Sequence, residues 1–224
     1  MRTGNVLVIG DTHEPFTHPK YLDFCLDVKD KYKCDIVVHI GDLVDNHAIS
    51  FHEHNPDGKS SGDEVEQAKR HLKKWFKAFP NVWLCKGNHD VLANRRAIAH
   101  GISEEFIRSF EEVWELPKGW EYEWSYQCQG VKFQHGTGYS GQMAHMKAAY
   151  TNRQSTVIGH CHSVAGSNYL ANELSLIFGL SVGCGIDRKK YAFWYGKDFK
   201  DKPAIGCGIV VETGRIGQFI PMKL

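Results

Sequence analysis

Residues 6–13 read VLVIGDTH, a short apolar run followed by a glycine, an aspartate and, two positions later, a histidine. An apolar run of this length bounded by turn residues is typical of a buried strand. Glycine lets the backbone turn and approach closely, so the polar side chains that follow project from the edge of the sheet. In open α/β sheets that carboxyl edge is where ligands bind. The stretch therefore predicts an α/β fold with a polar site after its first strand.

The same design recurs along the chain. It is repeated in IGDLVD (40–45), KGNHD (86–90) and IGHCH (158–162), and FQHG (133–136) adds His135 at the end of another strand. Each motif alone has an ordinary explanation, because Gly-Asp and Asn-His-Asp are frequent in turns. Four glycine-punctuated strands that all end in carboxylate, amide or imidazole groups indicate instead one shared metal site.

The GHCH stretch supports a metal site. In an extended strand alternate side chains leave the same face, so His160 and His162 point toward one spot. Cys161, between them, leaves by the opposite face, which favours packing over ligation.

Alternating elements in the N-terminal half predict a parallel sheet. Strands at 6–10, 35–41 and 81–87 are separated by amphipathic helices at 18–32 and 63–79. The resulting βαβαβ order calls for right-handed crossovers.

Later segments are more varied. A third helix is predicted from Ser103, as its cap, through Trp114. An antiparallel hairpin over 120–136 turns near Gly130, a short helix lies in 141–150, and a final hairpin turns around Thr213 and Gly214. The class is mixed α/β.

Composition limits the remaining possibilities. With 224 residues, 42% hydrophobic, the chain suits a single domain over 1–224. The first strand begins too early to leave room for a cleaved signal peptide, and the longest apolar stretch, at 174–186, is too short for a membrane span. Seven scattered cysteines without a Cys-x-x-Cys pair are typical of reduced thiols, which predicts a cytoplasmic location. A net charge of +1 gives no overall attraction to nucleic acid or membranes.

In order, the motifs Asp-x-His, Gly-Asp-x-x-Asp, Gly-Asn-His-Asp, His and Gly-His-x-His over residues 10–162 resemble the calcineurin-like metallophosphoesterases. The resemblance implies a four-layer α/β/β/α sandwich of two mixed β-sheets flanked by helices. It also implies two divalent metal ions, one held by Asp11, His13 and His162, the other by Asn88, His135 and His160, with Asp42 bridging them.

The chemistry of these donors agrees with that assignment. Nitrogen and oxygen ligands without thiolate favour manganese (Mn²⁺), iron, zinc or cobalt. Paired metals lower the pKa of a shared water and clamp the attacking and leaving oxygens, so the shared hydroxide is the expected nucleophile. The resemblance implies that His89 is the general acid and that Asp45 orients it by a hydrogen bond, although a solvated loop carboxylate is the alternative for Asp45. Asp90 is expected to support the turn.

The predicted activity is hydrolysis of phosphate esters, with a nuclease or nucleotide phosphodiesterase favoured. A phosphomonoesterase is the alternative within the same core, and a non-catalytic metal-binding scaffold is the alternative outside it. Protein-serine/threonine phosphatases have arginine where this chain has Asn46, which counts against that branch. Arg95 and Arg96 are either a phosphate clamp or solvated helix residues.

Two further segments carry hypotheses about substrate. His47, His52 and His54 either line the substrate entrance or are ordinary loop residues. The basic, aromatic-rich segment 188–202 suits a nucleotide or nucleic acid strand, or is a loop that packs its rings on the core.

Overall fold

The computed structural model describes residues 3–51, 58–189 and 200–223. Its eleven strands are β1 Asn5–Ile9, β2 Cys34–His39, β3 Val82–Cys85, β4 Trp120–Glu123, β5 Ser125–Cys128, β6 Val131–Gln134, β7 Ser155–Ile158, β8 Ala165–Ala171, β9 Leu176–Val182, β10 Gly206–Val211 and β11 Ile216–Pro221. Its five α-helices are α1 Tyr21–Lys31, α2 Ser61–Ala78, α3 Leu92–Ala99, α4 Phe110–Trp114 and α5 Ala144–Asn152.

The strands form two mixed sheets. The first has the order β11-β10-β1-β2-β3-β4. Strands β1 to β4 are parallel to one another, and β10 runs antiparallel to both of its neighbours, β1 and β11. The second has the order β5-β6-β7-β9-β8, with β6, β7 and β9 parallel and both edge strands antiparallel. The predicted βαβαβ order is confirmed as β1-α1-β2-α2-β3.

Strand β1 shows why two sheets and two helical layers are needed. Leu7 and Ile9 are buried in an apolar cluster with residues of α1 and α2. Val6 and Val8 point the other way, into a cluster shared with the second sheet. Because alternate side chains leave opposite faces, an apolar run in a strand must be covered on both sides. Helix α5 covers the far face of the second sheet, which completes the predicted four-layer sandwich.

The single third helix predicted over 103–114 is wrong. A 3-10 turn at Glu104–Phe106 begins at Ser103, and the separate helix α4 begins at Ser109 with a full capping box. Ser109 is a second helix-start signal, and the extended backbone of Ile107 interrupts the helical conformation between the two pieces. Helix α3 was not predicted as an element, although one alternative for Arg95 and Arg96 placed them on a helix.

The hairpin predicted over 120–136 is only half correct. Strands β5 and β6 do form an antiparallel hairpin, which turns at Gln129 and Gly130 with positive φ at both. Strand β4 instead joins the first sheet beside β3, because Trp120 and Tyr122 bury their rings in the helix-side cluster. The short helix, now α5, and the final hairpin, β10-β11 with its turn at Thr213 and Gly214, are confirmed.

Some of the predicted features fall outside the described residues: His52, His54 and positions 190–199 of the basic segment. Among the ranges that the structure describes, none of the helices has the length and apolar character needed to cross a bilayer.

Candidate metal centre

The predicted ligands meet where the two sheets bring their carboxyl ends together. Each follows a strand: Asp11 and His13 follow β1, Asp42 follows β2, Asn88 follows β3, His135 follows β6, and His160 and His162 follow β7. Backbone hydrogen bonds from His13 to Asp42 and from Gly159 to His135 tie these strand ends together in pairs. The site is therefore a product of the sheet topology.

Two groups of potential metal ligands share Asp42. One consists of Asp11, His13, Asp42 and His162, and the other of Asp42, His135 and His160; within each, the donor atoms lie within 4.8 Å of one another. His135 Nε2 is 3.2 Å from Asp42 Oδ2, and His162 Nε2 is 3.0 Å from Asp11 Oδ2. The arrangement suits two neighbouring cations with one carboxylate between them.

Asn88 belongs to the second group. Its side-chain oxygen lies 2.9 Å from His135 Nε2. All seven predicted ligands are thus brought together, from positions as far apart in sequence as Asp11 and His162.

Two buried polar atoms test whether a metal fits. Asp11 is fully buried, yet its Oδ1 has no hydrogen-bond partner among the described residues, and neither has the buried Nε2 of His13. Leaving such atoms unsatisfied costs about 1–3 kcal/mol each. A divalent cation would satisfy both, since carboxylate oxygen and imidazole nitrogen are among its preferred ligands.

Buried charges shift the pKa values of two predicted ligands, Asp42 and His135, in opposite directions. Burial acts to raise the pKa of Asp42, but the neighbouring His135 and His89 outweigh it and hold the pKa well below its usual value. Burial acts to lower the pKa of His135, and Asp42 and Asp11 raise it to about 9. The Asp42 carboxylate is therefore ionised at neutral pH, whereas His135 would have to release a proton in order to bind a metal.

Close contacts explain why glycine precedes two of the predicted ligands. A Cβ at Gly87 would lie 2.2 Å from the backbone nitrogen and Oδ1 of Asp42. A Cβ at Gly159 would lie 2.1 Å from Asp11 Oδ1. Only glycine lets these two strand ends approach the carboxylates so closely.

Three of the predicted ligands have left-handed backbones. The φ angles of His13, Asp42 and His160 are 50°, 48° and 63°. Non-glycine residues rarely adopt such angles, and those that do concentrate at functional sites.

His89 is held from three directions. Its Nδ1 lies 2.6 Å from the backbone oxygen of Asp45, its backbone nitrogen donates to Asp42 Oδ1 at 2.8 Å, and Asn46 Nδ2 donates to its carbonyl at 2.9 Å. The left-handed backbone of Asn46, φ 54°, aims its amide at His89. The imidazole itself is held by the first of these contacts, and its ring centre lies 4.5 Å from that of His13.

The Asp45 carboxylate differs from its predicted geometry. Its Oδ1 is 2.5 Å from His13 Nδ1 and 3.5 Å from His89 Nδ1, so the short contact is to a predicted metal ligand. The backbone oxygen of Asp45, rather than its side chain, binds His89. His13 takes the carboxylate because its imidazole is buried directly against it.

Asp90 has the geometry of a turn support. Its carboxylate accepts hydrogen bonds from the backbone nitrogens of Gly87, at 2.9 Å, and Val44, at 3.3 Å. Burial and the nearby Asp42 raise its pKa to about 7. It joins the loops that carry the second and third motifs.

Arg95 and Arg96, the two predicted phosphate contacts, have different surroundings. Arg96 donates from Nε to the carbonyl of Ile49 at 2.7 Å and from a terminal nitrogen to the carbonyl of Ser50, and its guanidinium lies 4.0 Å from the Phe51 ring. Arg95 is exposed, with its guanidinium 5.3 Å from the same ring. The structure therefore uses Arg96 to hold the loop after Asp45.

Some supporting residues were missed in the sequence. Nε2 of His39 lies 3.0 Å from the hydroxyl of Thr12, the residue between the predicted ligands Asp11 and His13. A polar residue within an apolar strand was the sequence signal that could have identified His39. Glu64 accepts hydrogen bonds from the backbone nitrogens of His47, at 2.7 Å, and Ala48, at 3.0 Å. No sequence signal marks Glu64, because its partners are 16 and 17 residues away.

Cys161 packs as expected, although the extended strand predicted through GHCH is wrong, because β7 ends at Ile158 and His160 has a left-handed backbone. Its thiol donates to the carbonyl of Tyr139 at 3.7 Å, and both residues pack against the cluster under α5.

Comparison with known proteins agrees with this geometry. The family model for calcineurin-like phosphoesterases matches residues 4–176, well over half of the chain. A metallophosphoesterase from Sphaerobacter thermophilus is 14% identical, with a TM-score of 0.52 over 99% of this chain and 89% of that one.

Two other solved structures are similar at lower scores. YfcE, a phosphoesterase from E. coli, is 15% identical with a TM-score of 0.41 over 93% of this chain and 88% of that one. Vacuolar protein sorting 29 from Cryptosporidium parvum is 13% identical with a TM-score of 0.46 over 92% and 84%. No curated protein is matched. The family model and the ligand geometry together establish that this chain belongs to the calcineurin-like phosphoesterase family.

Proposed function

We propose that this protein is a dinuclear metal-dependent hydrolase of phosphate esters and that it prefers phosphodiesters of nucleotides or nucleic acids. The observation that carries the proposal is the pair of ligand groups that share Asp42, with His89 fixed beside them. A site that only bound metal would not need a further oriented imidazole. The combination supports catalysis over a scaffold role.

Seven residues are proposed to hold the metals, in the arrangement that the family resemblance implies. Asp11, His13 and His162 bind one ion, Asn88, His135 and His160 bind the other, and Asp42 contacts both. When bound, two divalent ions, proposed to be manganese, supply positive charge for the phosphate and activate a water for attack at phosphorus.

His89 is proposed as the proton donor to the leaving oxygen. Although burial acts to lower its pKa, Asp42 and Asp45 outweigh that effect and raise the pKa above its ordinary value. Because its Nδ1 donates to the Asp45 carbonyl, Nε2 is the nitrogen left to carry the transferable proton. A histidine so placed can protonate an alkoxide as it departs.

The flanks of the basic segment support a nucleotide substrate. Arg188 binds the carbonyl of Pro203, and the backbone nitrogen of Ala204 donates to the carbonyl of His162 at 2.7 Å. The chain just after this segment therefore contacts a proposed metal ligand, and Arg188 at the start of the segment is bound to that same stretch of chain. Arg95, exposed near the loop after Asp45, is proposed as a second contact to substrate phosphate.

A cytoplasmic location is also proposed. All seven cysteines are free. Cys25 and Cys207 interact through their thiols inside the core without forming a disulfide.

The proposal is tested by the hydrolysis of bis(p-nitrophenyl) phosphate and p-nitrophenyl phosphate with manganese-reconstituted protein. We expect a higher kcat/KM for the diester and no turnover by chelator-treated protein. A preference for the monoester would make the protein a phosphomonoesterase. If neither ester were hydrolysed with manganese, iron, zinc or cobalt, the scaffold role would replace the catalytic one.

A further inference from the structure

We infer that Trp124 and Lys86 form a nucleoside-binding element beside the metal centre, with the indole stacking on a nucleobase and the ammonium facing a phosphate. The inference rests on the proposed phosphodiesterase function and specifies which part of the substrate is recognised. It assigns a role to two residues that neither ligate metal nor donate protons.

The first support is position. Strands β3 and β4 are parallel neighbours with Cys85 opposite Glu123, and the backbone nitrogen of Lys86 donates to the carbonyl of Glu123 at 2.8 Å. Lys86 and Trp124 are therefore the first residues beyond the carboxyl ends of adjacent strands. This is the edge at which Asn88 and His89 follow β3.

The separation from the metal centre follows from chain geometry. Consecutive Cα atoms are about 3.8 Å apart, so two steps from Lys86 to Asn88 span about 7 Å at most. Neighbouring strands lie about 5 Å apart, which places the Trp124 backbone within about 12 Å of that of Asn88. A nucleoside attached to a phosphate at the metal site can span this distance.

The second support is the surroundings of the indole. Trp124 is 62% exposed, whereas Trp75, Trp114 and Trp120 are at most 5% exposed. Exposure by itself carries no argument, because single apolar side chains are common on protein surfaces. The distinguishing feature is the cation beside this ring.

Lys86 is held among aromatic rings. Its Nζ lies 4.7 Å from the centre of the Tyr122 ring and 5.8 Å from that of Trp124. Tyr122 is itself fixed, because its ring stacks on Phe110 at 4.3 Å. These contacts hold the ammonium at the sheet edge, where it can meet a phosphate.

An exposed ring next to a cation suits a nucleotide. Base–aromatic stacking accepts any base, and a neighbouring lysine balances the phosphate charge. Glu123, the residue before Trp124, leaves β4 by the face opposite to that of Tyr122, the ring over which Lys86 lies, because side chains alternate along a strand. The outward surface of Trp124 remains accessible to a base.

A pair of substrates with one leaving group tests the inference. Thymidine 5′-(p-nitrophenyl phosphate) carries a nucleoside, whereas methyl p-nitrophenyl phosphate does not. In manganese-reconstituted protein, we expect Trp124→Ala to lower kcat/KM for the thymidine ester about tenfold more than for the methyl ester. Trp124→Phe should recover part of the kcat/KM that Trp124→Ala loses for the thymidine ester. Tyr150→Ala, at an exposed ring on α5, should leave kcat/KM unchanged for both esters.

A binding measurement separates this inference from the proposed function. Thymidine 5′-monophosphate should quench part of the tryptophan fluorescence of the wild type and of Tyr150→Ala but not that of Trp124→Phe. Quenching that depends on Trp124 without turnover of either ester would support the binding element and reject the phosphodiesterase. Turnover with equal losses for both esters, or with quenching that persists in Trp124→Phe, would overturn the binding element and leave the enzyme function standing.

Discussion

Nδ1 of His89 is 2.6 Å from the backbone oxygen of Asp45, whereas the carboxylate of Asp45 lies 2.5 Å from Nδ1 of His13. One residue thus contacts both the proposed proton donor and a proposed metal ligand, through different atoms. Substitution of its side chain should affect the metal ligand and leave the bond to His89 in place.

Asp45→Asn is therefore expected to weaken manganese binding by about 10–100-fold, the usual effect of losing a group that orients a ligand. At saturating manganese and at a pH low enough to keep His89 protonated without the Asp45 charge, kcat should remain close to that of the wild type, because the carbonyl of residue 45 still holds His89. Calorimetric titration with manganese and kcat at saturation are the measurements. Asp35→Asn, at an exposed aspartate of β2, is the control.

The opposite pattern would change the assignment. Unaltered manganese affinity with a large loss of kcat would mean that the Asp45 carboxylate orients His89 when substrate is bound.

His89→Ala should show a loss that depends on the leaving group. For a diester with an alkoxide leaving group, kcat should fall by about 100–10,000-fold, the range that general acid catalysis contributes. p-Nitrophenolate leaves without protonation, so its ester should lose far less. The backbone bonds to Asp42 and Asn46 survive the substitution, and manganese stoichiometry should not change.

His100→Ala, at an exposed histidine just after α3, is the matched control. Equal losses for the alkoxide and nitrophenolate esters would contradict a proton-donor role.

The sequence predicts where the proposed ligands lie because each strand carries two signals, an apolar run and a glycine directly after it. The apolar residues 6–9 require burial on both faces, and the glycine at 10 marks where the backbone turns, so the polar edge follows directly. The same holds for Gly87 and Gly159, whose missing side chains make room for Asp42 and Asp11. Parallel strands then place these ends at one edge.

Side-chain partners were beyond the sequence. The choice of the Asp45 carboxylate between His13 and His89 depends on differences of about 1 Å, which no spacing encodes. Likewise, the alternation of Trp120 and Tyr122 would suit a strand in either sheet. Only their packing in the helix-side cluster assigns β4 to the first sheet.

Gly159→Ala tests the steric explanation for the glycines. Its Cβ would lie 2.1 Å from Asp11 Oδ1 and 2.5 Å from Ile40 Cγ2, so the carboxylate must move. We expect weaker manganese binding and a loss of about 1–3 kcal/mol in the free energy of unfolding, as for other overpacked sites. Urea unfolding without metal, followed by manganese titration, measures both.

Gly62→Ala is the control for this substitution. It lies in the first turn of α2, where a Cβ meets only Ser60 Oγ at 4.0 Å. Alanine favours helix over glycine, so this variant should be about 0.5–1 kcal/mol more stable than the wild type. Normal manganese binding by Gly159→Ala would reject the steric explanation.

Glu64 should make stability depend on pH. Burial and the nearby Asp45 raise its pKa to about 7 in the folded protein, against 4.5 ordinarily, so folding favours the protonated carboxyl. Its contribution to stability is fully present below pH 4.5 and is lost as the pH rises through about 7. A shift of this size corresponds to about 3 kcal/mol.

Glu64→Gln should therefore gain stability relative to the wild type between pH 5 and pH 8, even if the loss of one backbone hydrogen bond lowers its stability at every pH. Urea unfolding of the metal-free proteins across this range measures the difference. Glu66→Gln removes a carboxylate from the exposed side of the same helix and controls for the general loss of one negative charge. Parallel pH profiles for the wild type and Glu64→Gln would show that Glu64 is already ionised in the folded protein, and that its bonds to the backbone of His47 and Ala48 outweigh its burial.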